Sequence, residues 1–421
     1  MSGFLRRLSG RAKLDEAAAA VAAAAARRSA APAPPRDAAE ARTIDPAAYG
    51  MPPRAALRTG LIRPLPALTA AGEAAERTGD WRPASALLEA VGADWELRYL
   101  CACHLAELAV REDAWLRAWR QAAPRDPGAA VVYARSLVEV AWAVRGTGRA
   151  EGVTAEQWQG FHRTLSAAPG ACQEAAALLP EDPVPWIVHL GAATGLSYPH
   201  EAFRELWAMV RSRAPYHVPA HLGAMNYWLP RWHGSRELVT GFVEEAIATA
   251  PIGSLLTLLR LDLLNNELRP EDQEQRRAFW RGPEVRHAVD QGLADLAAAH
   301  PAHLRIDALR GWLAYFLTRS GRYAEAVWMF RQLGDRVATA PWSYSADGTA
   351  LFTANRVEAV LGWEDAGRPA LPNGRSPLDA TPAAGWGQGP ELASGPGPAA
   401  GPGPAAGPAA QPYWNGRGGA R

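Results

Sequence analysis

The sequence predicts an all-α fold, in which antiparallel helix pairs stack on one another between two arms that form no core. Three observations lead to this prediction. The middle of the 421-residue chain is a succession of amphipathic runs, each too short to bury its apolar face alone. Helix-start signals, in which a capping Asp precedes a Pro, recur at residues 126–127 and 182–183. Both ends of the chain change to a composition rich in Ala, Gly and Pro.

The two arms set the boundaries of the folded part of the chain. Residues 1–54 pass from a polyalanine block, which has no apolar stripe to anchor it, into a Pro-rich segment. Residues 367–421 repeat the words Gly-Pro-Gly-Pro-Ala-Ala and offer few side chains to bury. We therefore expect both arms to be disordered, with residues 55–366 forming the helical array.

The amphipathic runs divide this array into about six or seven helix pairs. The predicted pairs begin in order near Pro66, Asp94, Asp126, Asp182, Tyr216, Ile252 and Ile306, and a final helix over 350–364 caps the stack. The third pair shows the pattern most fully. Its first helix starts at Asp126 and ends before Gly146 and Gly148. A capping box formed by Thr154 and Gln157 starts the second helix of the pair.

Small and bulky residues in several pairs fall at offsets that resemble those of tetratricopeptide repeats. In the last pair these residues are Leu313, Ala314, Gly321, Tyr323, Ala326 and Phe330. In such repeats the small residues let two antiparallel helices approach closely, and the bulky ones fill the gap between them. The resemblance implies an α-solenoid over residues 55–366, whose concave groove binds a protein or peptide.

The most distinctive stretch is Tyr-Trp-Leu-Pro-Arg-Trp-His-Gly-Ser at residues 227–235. With its surroundings over 182–250 it resembles a bacterial family known only as a domain of unknown function. Aromatic and arginine side chains are enriched in binding hot spots. We therefore predict a partner-binding site formed by Tyr227, Trp228, Arg231 and Trp232. The alternative is that these aromatic side chains lock the turn between two helices.

Catalytic and metal-binding motifs are missing from the sequence. It contains no Gly-x-Ser-x-Gly elbow, no His-Glu-x-x-His and no phosphate loop, so we expect neither catalytic residues nor a cofactor. The Cys101-Ala102-Cys103-His104 segment lacks the spacing of a haem or zinc site. His217, His221 and His233 could share a metal, but Pro219 separates the first two, and we predict no metal site.

Charge and cysteine content limit the expected classes of partner and the expected cellular compartment. Forty-four basic and forty-three acidic residues give a net charge of +1, which provides no electrostatic case for nucleic acid or an anionic membrane. No apolar run reaches the roughly 18 residues of a membrane span. The three cysteines form no disulfide framework, which favours a reducing compartment. We therefore expect a cytoplasmic protein.

These observations favour a non-enzymatic scaffold that binds a protein or peptide in its groove. The main alternative is a small-ligand-binding protein or enzyme, with a pocket inside the curve that uses His189, His200, His217 or His233. A second alternative is single-stranded RNA binding through Arg and aromatic side chains, against which the neutral charge stands. The sequence leaves the partner and the oligomeric state open.

Overall fold

The computed structural model describes residues 43–59, 65–146, 153–337, 340–345 and 347–379. Within these ranges the regular structure is helical, apart from one isolated parallel bridge between Arg58 and Arg336. The predicted all-α class is thus confirmed. None of the helices in the described ranges combines the length and apolar character that crossing a bilayer requires.

The described residues divide into two units. Unit 1 comprises residues 66–259, and unit 2 comprises residues 43–59, residue 65 and the chain from residue 260 onward. The helices of unit 1 are α1 (Pro66–Thr78), α2 (Arg82–Val91), α3 (Trp95–Arg111), α4 (Ala114–Ala122), α5 (Pro127–Arg145), α6 (Ala155–Leu165), α7 (Ala168–Leu178), α8 (Val184–Gly195), α9 (His200–Arg211), α10 (Val218–Tyr227) and α11 (Arg236–Thr249). The division falls inside α12 (Thr257–Leu263), which continues as a π-helical turn, Leu264–Leu268.

The predicted caps start helices as expected. The Asp126 side chain accepts hydrogen bonds from the amides of Gly128 and Ala129, and Thr154 forms a reciprocal capping box with Gln157. Helix α5, which begins after Asp126, packs against α3, α6, α7 and α8. Since α5 is buried on most of its circumference, its core-facing positions are filled largely by Ala and Val, which allow the neighbouring helices to approach closely.

The N-terminal ends of α3, α8 and α10 meet inside unit 1. Arg98 of α3 donates from Nε to Oδ2 of Asp182, which lies just before α8, over 2.7 Å. The Glu96 carboxylate of α3 accepts a hydrogen bond from the Val218 amide in the first turn of α10 over 2.9 Å. In an open solenoid each repeat contacts only its neighbours. The contact between α3 and α10, which belong to non-adjacent pairs, departs from that expectation.

Unit 2 is built around a core of aromatic side chains. Its remaining helices are α13 (Gln273–Arg281), α14 (Pro283–Ala298), α15 (Ile306–Arg319), α16 (Tyr323–Leu333) and α17 (Gly348–Asp365). Helix α15 packs against α14, α16 and α17. The Phe352 ring of α17 lies edge-on to the rings of Phe330 and Trp342, with centroids 5.1 and 5.2 Å away. Such edge-to-face contacts stabilise a core beyond the area they bury.

Residues 45–58, which we call the strap, run antiparallel to α17. The Tyr49 hydroxyl donates to Glu364 near the end of α17 over 2.8 Å, and the Arg54 side chain pairs with Asp347 at its start. Between these contacts Met51 is buried. The prediction of a disordered arm is therefore corrected for residues 43–54, because a few anchoring side chains outweigh the Ala- and Pro-rich composition. Residues 1–42 lie outside the described ranges.

The second predicted arm needs the same correction over its first residues. Residues 367–379 fold back on unit 2, where the carbonyl of Pro369 accepts a hydrogen bond from the Trp363 indole and the carbonyl of Pro377 accepts one from Arg331. The remainder of that arm, residues 380–421, lies outside the described ranges.

Candidate functional site

Tyr227 and Trp228, two of the four predicted partner-binding residues, are buried. The Tyr227 ring stacks on Phe203 of α9 with centroids 3.6 Å apart, and its hydroxyl donates to the carbonyl of Tyr198 over 2.6 Å. The Trp228 ring lies edge-on to His200 at 4.9 Å. Both rings therefore join α10 to α9, with Tyr227 fully buried and Trp228 6% exposed.

Arg231 and Trp232, the other two predicted residues, are half-buried. The Trp232 ring lies edge-on to Trp142 at 5.6 Å, and the guanidinium of Arg145 lies 5.9 Å from it. Arg145 also faces Trp142 and Trp158, so tryptophan rings surround this buried cation. Burial lowers the pKa of Arg145. Trp232 thus has a packing role, while partner contact by Arg231 and Trp232 stays a prediction.

The rest of the 227–235 turn ties the α10–α11 connection to the α8–α9 connection. His233 donates from Nε2 to the carbonyl of Thr194 over 2.8 Å, and His200 donates from Nε2 to the carbonyl of His233 over 2.6 Å. Gly234 packs so closely that a Cβ atom there would lie 1.9 Å from the carbonyl oxygen of Trp228. This geometry supports the alternative in which the stretch locks a turn.

The Gly234→Ala variant is expected to lose about 1–3 kcal/mol of unfolding free energy, because its methyl group must displace the Trp228 carbonyl and strain the turn. Urea unfolding followed by circular dichroism measures the loss. The matched control is Gly223→Ala in α10, where an added Cβ meets no atom within 4 Å. That change should be neutral or stabilising, since alanine favours helix. Equal effects of the two changes would refute the close packing of the turn.

The histidines considered for a metal or a catalytic pocket are engaged elsewhere. His217 donates from Nε2 to the carbonyl of Trp95, and His221 Nδ1 lies 3.0 Å from the carbonyl of His217. His189 Nε2 lies 3.2 Å from the hydroxyl of Tyr198. Burial lowers the pKa of both His189 and His221 to about 4, so these rings are neutral at pH 7. In the described part of the chain, no group of three or more His, Cys, Asp or Glu side chains could hold a metal.

The three cysteines are buried thiols. Burial raises the pKa of Cys101 and Cys172 to about 12 and that of Cys103 to about 11. Because the thiolate is the reactive form, these cysteines are poor nucleophiles and poor metal ligands. All three pack within helices.

A small cleft lies between α9 and α11, on the second helices of their pairs. Its walls include the rings of Trp207, Tyr216 and Phe242, and His221 lies at 4.8 Å from Trp207. The cleft has a volume of about 80 Å³. An ion pair between Arg211 and Glu245, with a 2.9 Å contact, stands beside it. A cleft of this size is far below the roughly 300–1,000 Å³ of small-molecule pockets and suits a single side chain.

The exposed large apolar side chains lie on the helices that flank the cleft and on the turns that follow those helices. Within the residues that the structure describes, these side chains are Met209, Tyr216, Leu238 and Ile252, which we call the outer patch. All four belong to α9, α11 or the turns that follow these helices. Ile252 is 69% exposed and Tyr216 is 42% exposed.

No prediction from the sequence covers the outer patch, although the signal for it is present. Helix α9 buries Phe203, Leu206 and Val210, whereas Met209 lies off that stripe. Leu238 likewise lies off the buried stripe of α11. An apolar residue on the polar face of an amphipathic helix is visible in the sequence and indicates a surface that is covered by something else.

No protein-family model, curated protein or solved structure matches this chain. The resemblances to tetratricopeptide repeats and to the bacterial family of unknown function stay predictions.

Proposed function

We propose that the chain is a non-enzymatic protein of tetratricopeptide-like helix pairs, which binds another protein through the outer patch and the adjoining cleft. The observation that carries this proposal is the concentration of exposed apolar side chains on α9, α11 and their following turns. Contiguous or neighbouring apolar side chains on a surface are typical of interaction sites.

The composition of the region supports protein recognition. Trp207 and Tyr216 contribute aromatic walls to the cleft, and Arg211 adds a guanidinium beside them. Trp, Tyr and Arg are the residues most enriched in binding hot spots. We infer that one apolar side chain of the partner enters the cleft, while Ile252 and Leu238 bury apolar area around it.

The proposed surface differs from the groove expected from the sequence. The ends of α3, α8 and α10 bring non-adjacent pairs into contact, and Tyr227 is part of the core. Helices α9 and α11 instead carry exposed apolar groups. The alternative of a ligand pocket or active site stays a prediction that no specific observation favours.

The test compares partner binding by the wild type and a Tyr216→Ala/Ile252→Ala variant. Affinity capture from native cell lysate identifies the partner, and calorimetry with the purified partner gives its Kd. We expect the double variant to bind at least tenfold more weakly, which corresponds to about 1.4 kcal/mol. Both side chains are exposed, so the helical circular dichroism and the melting temperature should not change.

The matched control is Glu201→Ala/Glu205→Ala on the exposed face of α9. This variant should bind the partner as the wild type does, because it leaves the outer patch intact. A partner that binds both double variants with the wild-type Kd would contradict the proposal.

A further inference from the structure

Arg356 of α17 places a charged group in the interior of unit 2. The residue is 1% exposed, and its Nη1 donates to the carbonyl of Pro52 in the strap over 2.7 Å. Neither its Nε nor its Nη2 has a hydrogen-bond partner among the described residues. These two N–H groups form the side-on edge of the guanidinium, the edge that binds two oxygens of a carboxylate or phosphate at once.

Arg331 of α16 adds a second buried cation beside the strap. It is 7% exposed, and its Nη1 donates to the carbonyl of Pro377 over 2.6 Å, while its Nε has no partner in the described ranges. A Cβ atom on Gly50 would lie 3.0 Å from that Nε. Arg331 and Arg356 therefore contact strap residues that are two positions apart.

The two guanidinium groups lack compensating anions at contact distance. In the part of the chain that the structure describes, neither arginine forms an ion pair. Burial lowers the pKa of both, and only Arg331 has an opposing carboxylate, that of Asp379. A buried cation without an anion and buried donors without acceptors both destabilise a protein. An anion with two oxygens would supply Arg356 with both the opposing charge and the hydrogen-bond acceptors that it lacks.

We propose that unit 2 binds an oxyanion, a carboxylate or phosphate group of a ligand, at the side-on edge of Arg356 beneath the strap. Arg331 adds positive potential to the same region. The proposal concerns unit 2 and is independent of the outer patch of unit 1. Carboxylate and phosphate groups both offer the paired oxygens that this edge of the guanidinium recognises.

Opening of the strap is the route by which an anion would reach Arg356. The Arg54–Asp347 pair that holds one end is solvent-exposed, with side chains 60% and 53% accessible. Exposed ion pairs hold their partners weakly, so loss of this pair favours opening of this end by a few-fold at most. Opening of this end moves the strap away from the middle of α17, where Arg356 lies. We therefore expect anion binding to be faster when the Arg54 contact is removed.

The test measures the melting temperature and calorimetric binding of the full chain with inorganic phosphate or acetate, against chloride at equal ionic strength. We expect phosphate, acetate or both to raise the melting temperature, because a ligand that binds only the folded state stabilises it. A response to phosphate alone indicates a phosphate-bearing ligand, and a response to acetate indicates a carboxylate. No difference from chloride with either anion would overturn the proposal.

Variants locate the site. Arg356→Lys keeps the charge but loses the paired donors, so we expect at least tenfold weaker anion binding. The matched control, Arg319→Lys, alters a more exposed arginine that pairs with Glu358 and should leave binding unchanged. If Arg356→Lys fails to fold, the Arg54→Ala variant replaces it, and we expect it to bind the anion at a higher association rate. A wild-type anion response that persists in Arg356→Lys, or an unchanged rate in Arg54→Ala, would contradict the site.

Discussion

Replacing Asp182 with alanine is expected to lower the free energy of unfolding of unit 1 by about 3–5 kcal/mol, because it leaves the Arg98 guanidinium buried without an anion. The side chains of this pair are only 1% and 4% exposed, and the contact is 2.7 Å long. Burial raises the pKa of Asp182, while Arg98 and the Val184 amide act against that rise. The substitution also removes the acceptor for the Val184 amide at the start of α8. Urea unfolding followed by circular dichroism at pH 7 measures the loss.

Two further variants test the cause of this loss. Asp113→Ala removes a solvent-exposed partner of Arg117 and should cost less than about 1 kcal/mol. The double variant Arg98→Met/Asp182→Leu removes both charges, and we expect it to be more stable than Asp182→Ala. A loss in Asp182→Ala no greater than that in Asp113→Ala would show that the buried pair does not hold α3 to α8.

Stability is expected to fall as the pH is lowered from 7 to 5, because His189 and His221 are neutral in the folded protein. Burial lowers the pKa of each from 6.5 to about 4. Between these values the unfolded chain binds more protons than the folded one. The stability contribution is therefore complete above pH 6.5 and is lost as the pH falls towards 4. At about 1.4 kcal/mol per pKa unit, each histidine accounts for a loss of about 2 kcal/mol between pH 7 and 5.

Variants that test the role of His189 and His221 are chosen from the groups around the two imidazole rings. His221 faces Trp207 and Phe242. The hydrogen bond to the His217 carbonyl and the charge of Glu96 favour its protonation, whereas the His217 ring and Arg211 oppose it. His221→Asn keeps a donor near the Nδ1 position, and His189→Gln keeps a polar group near the Tyr198 hydroxyl. Neither replacement titrates. The double variant should lose less stability than the wild type between pH 7 and 5, measured by urea unfolding at both pH values. If the double variant loses as much unfolding free energy between pH 7 and 5 as the wild type, other groups dominate the pH dependence.

Local signals explain why much of the helical structure could be predicted from the sequence. Caps such as Asp126 and the Thr154–Gln157 box act on amides two or three residues away, so their pattern is readable in the chain. The helix predicted from Asp126 to Arg145 is α5, and the final helix predicted over 350–364 is found at Gly348–Asp365. Helix periodicity is likewise a short-range property.

Long-range contacts explain what the sequence left undetermined. Arg98 and Asp182 are 84 residues apart, and Glu96 and Val218 are 122 residues apart. No pattern within one helix therefore predicts these two contacts. The 227–235 turn shows a second limit. Its aromatic and arginine content is compatible with a hot spot or with a packed turn, and only the burial of Tyr227 separates these roles for that residue.

The strap has a consequence for the order in which the protein assembles during synthesis. Arg356, which binds the carbonyl of Pro52, is encoded 304 residues later, so the strap leaves the ribosome long before its binding surface exists. At about 5–20 residues per second, that interval is roughly 15–60 s. Unit 1 can fold within it, because its helices come from a continuous stretch of chain. The strap is therefore made before unit 1 but can dock only after α17 has been made.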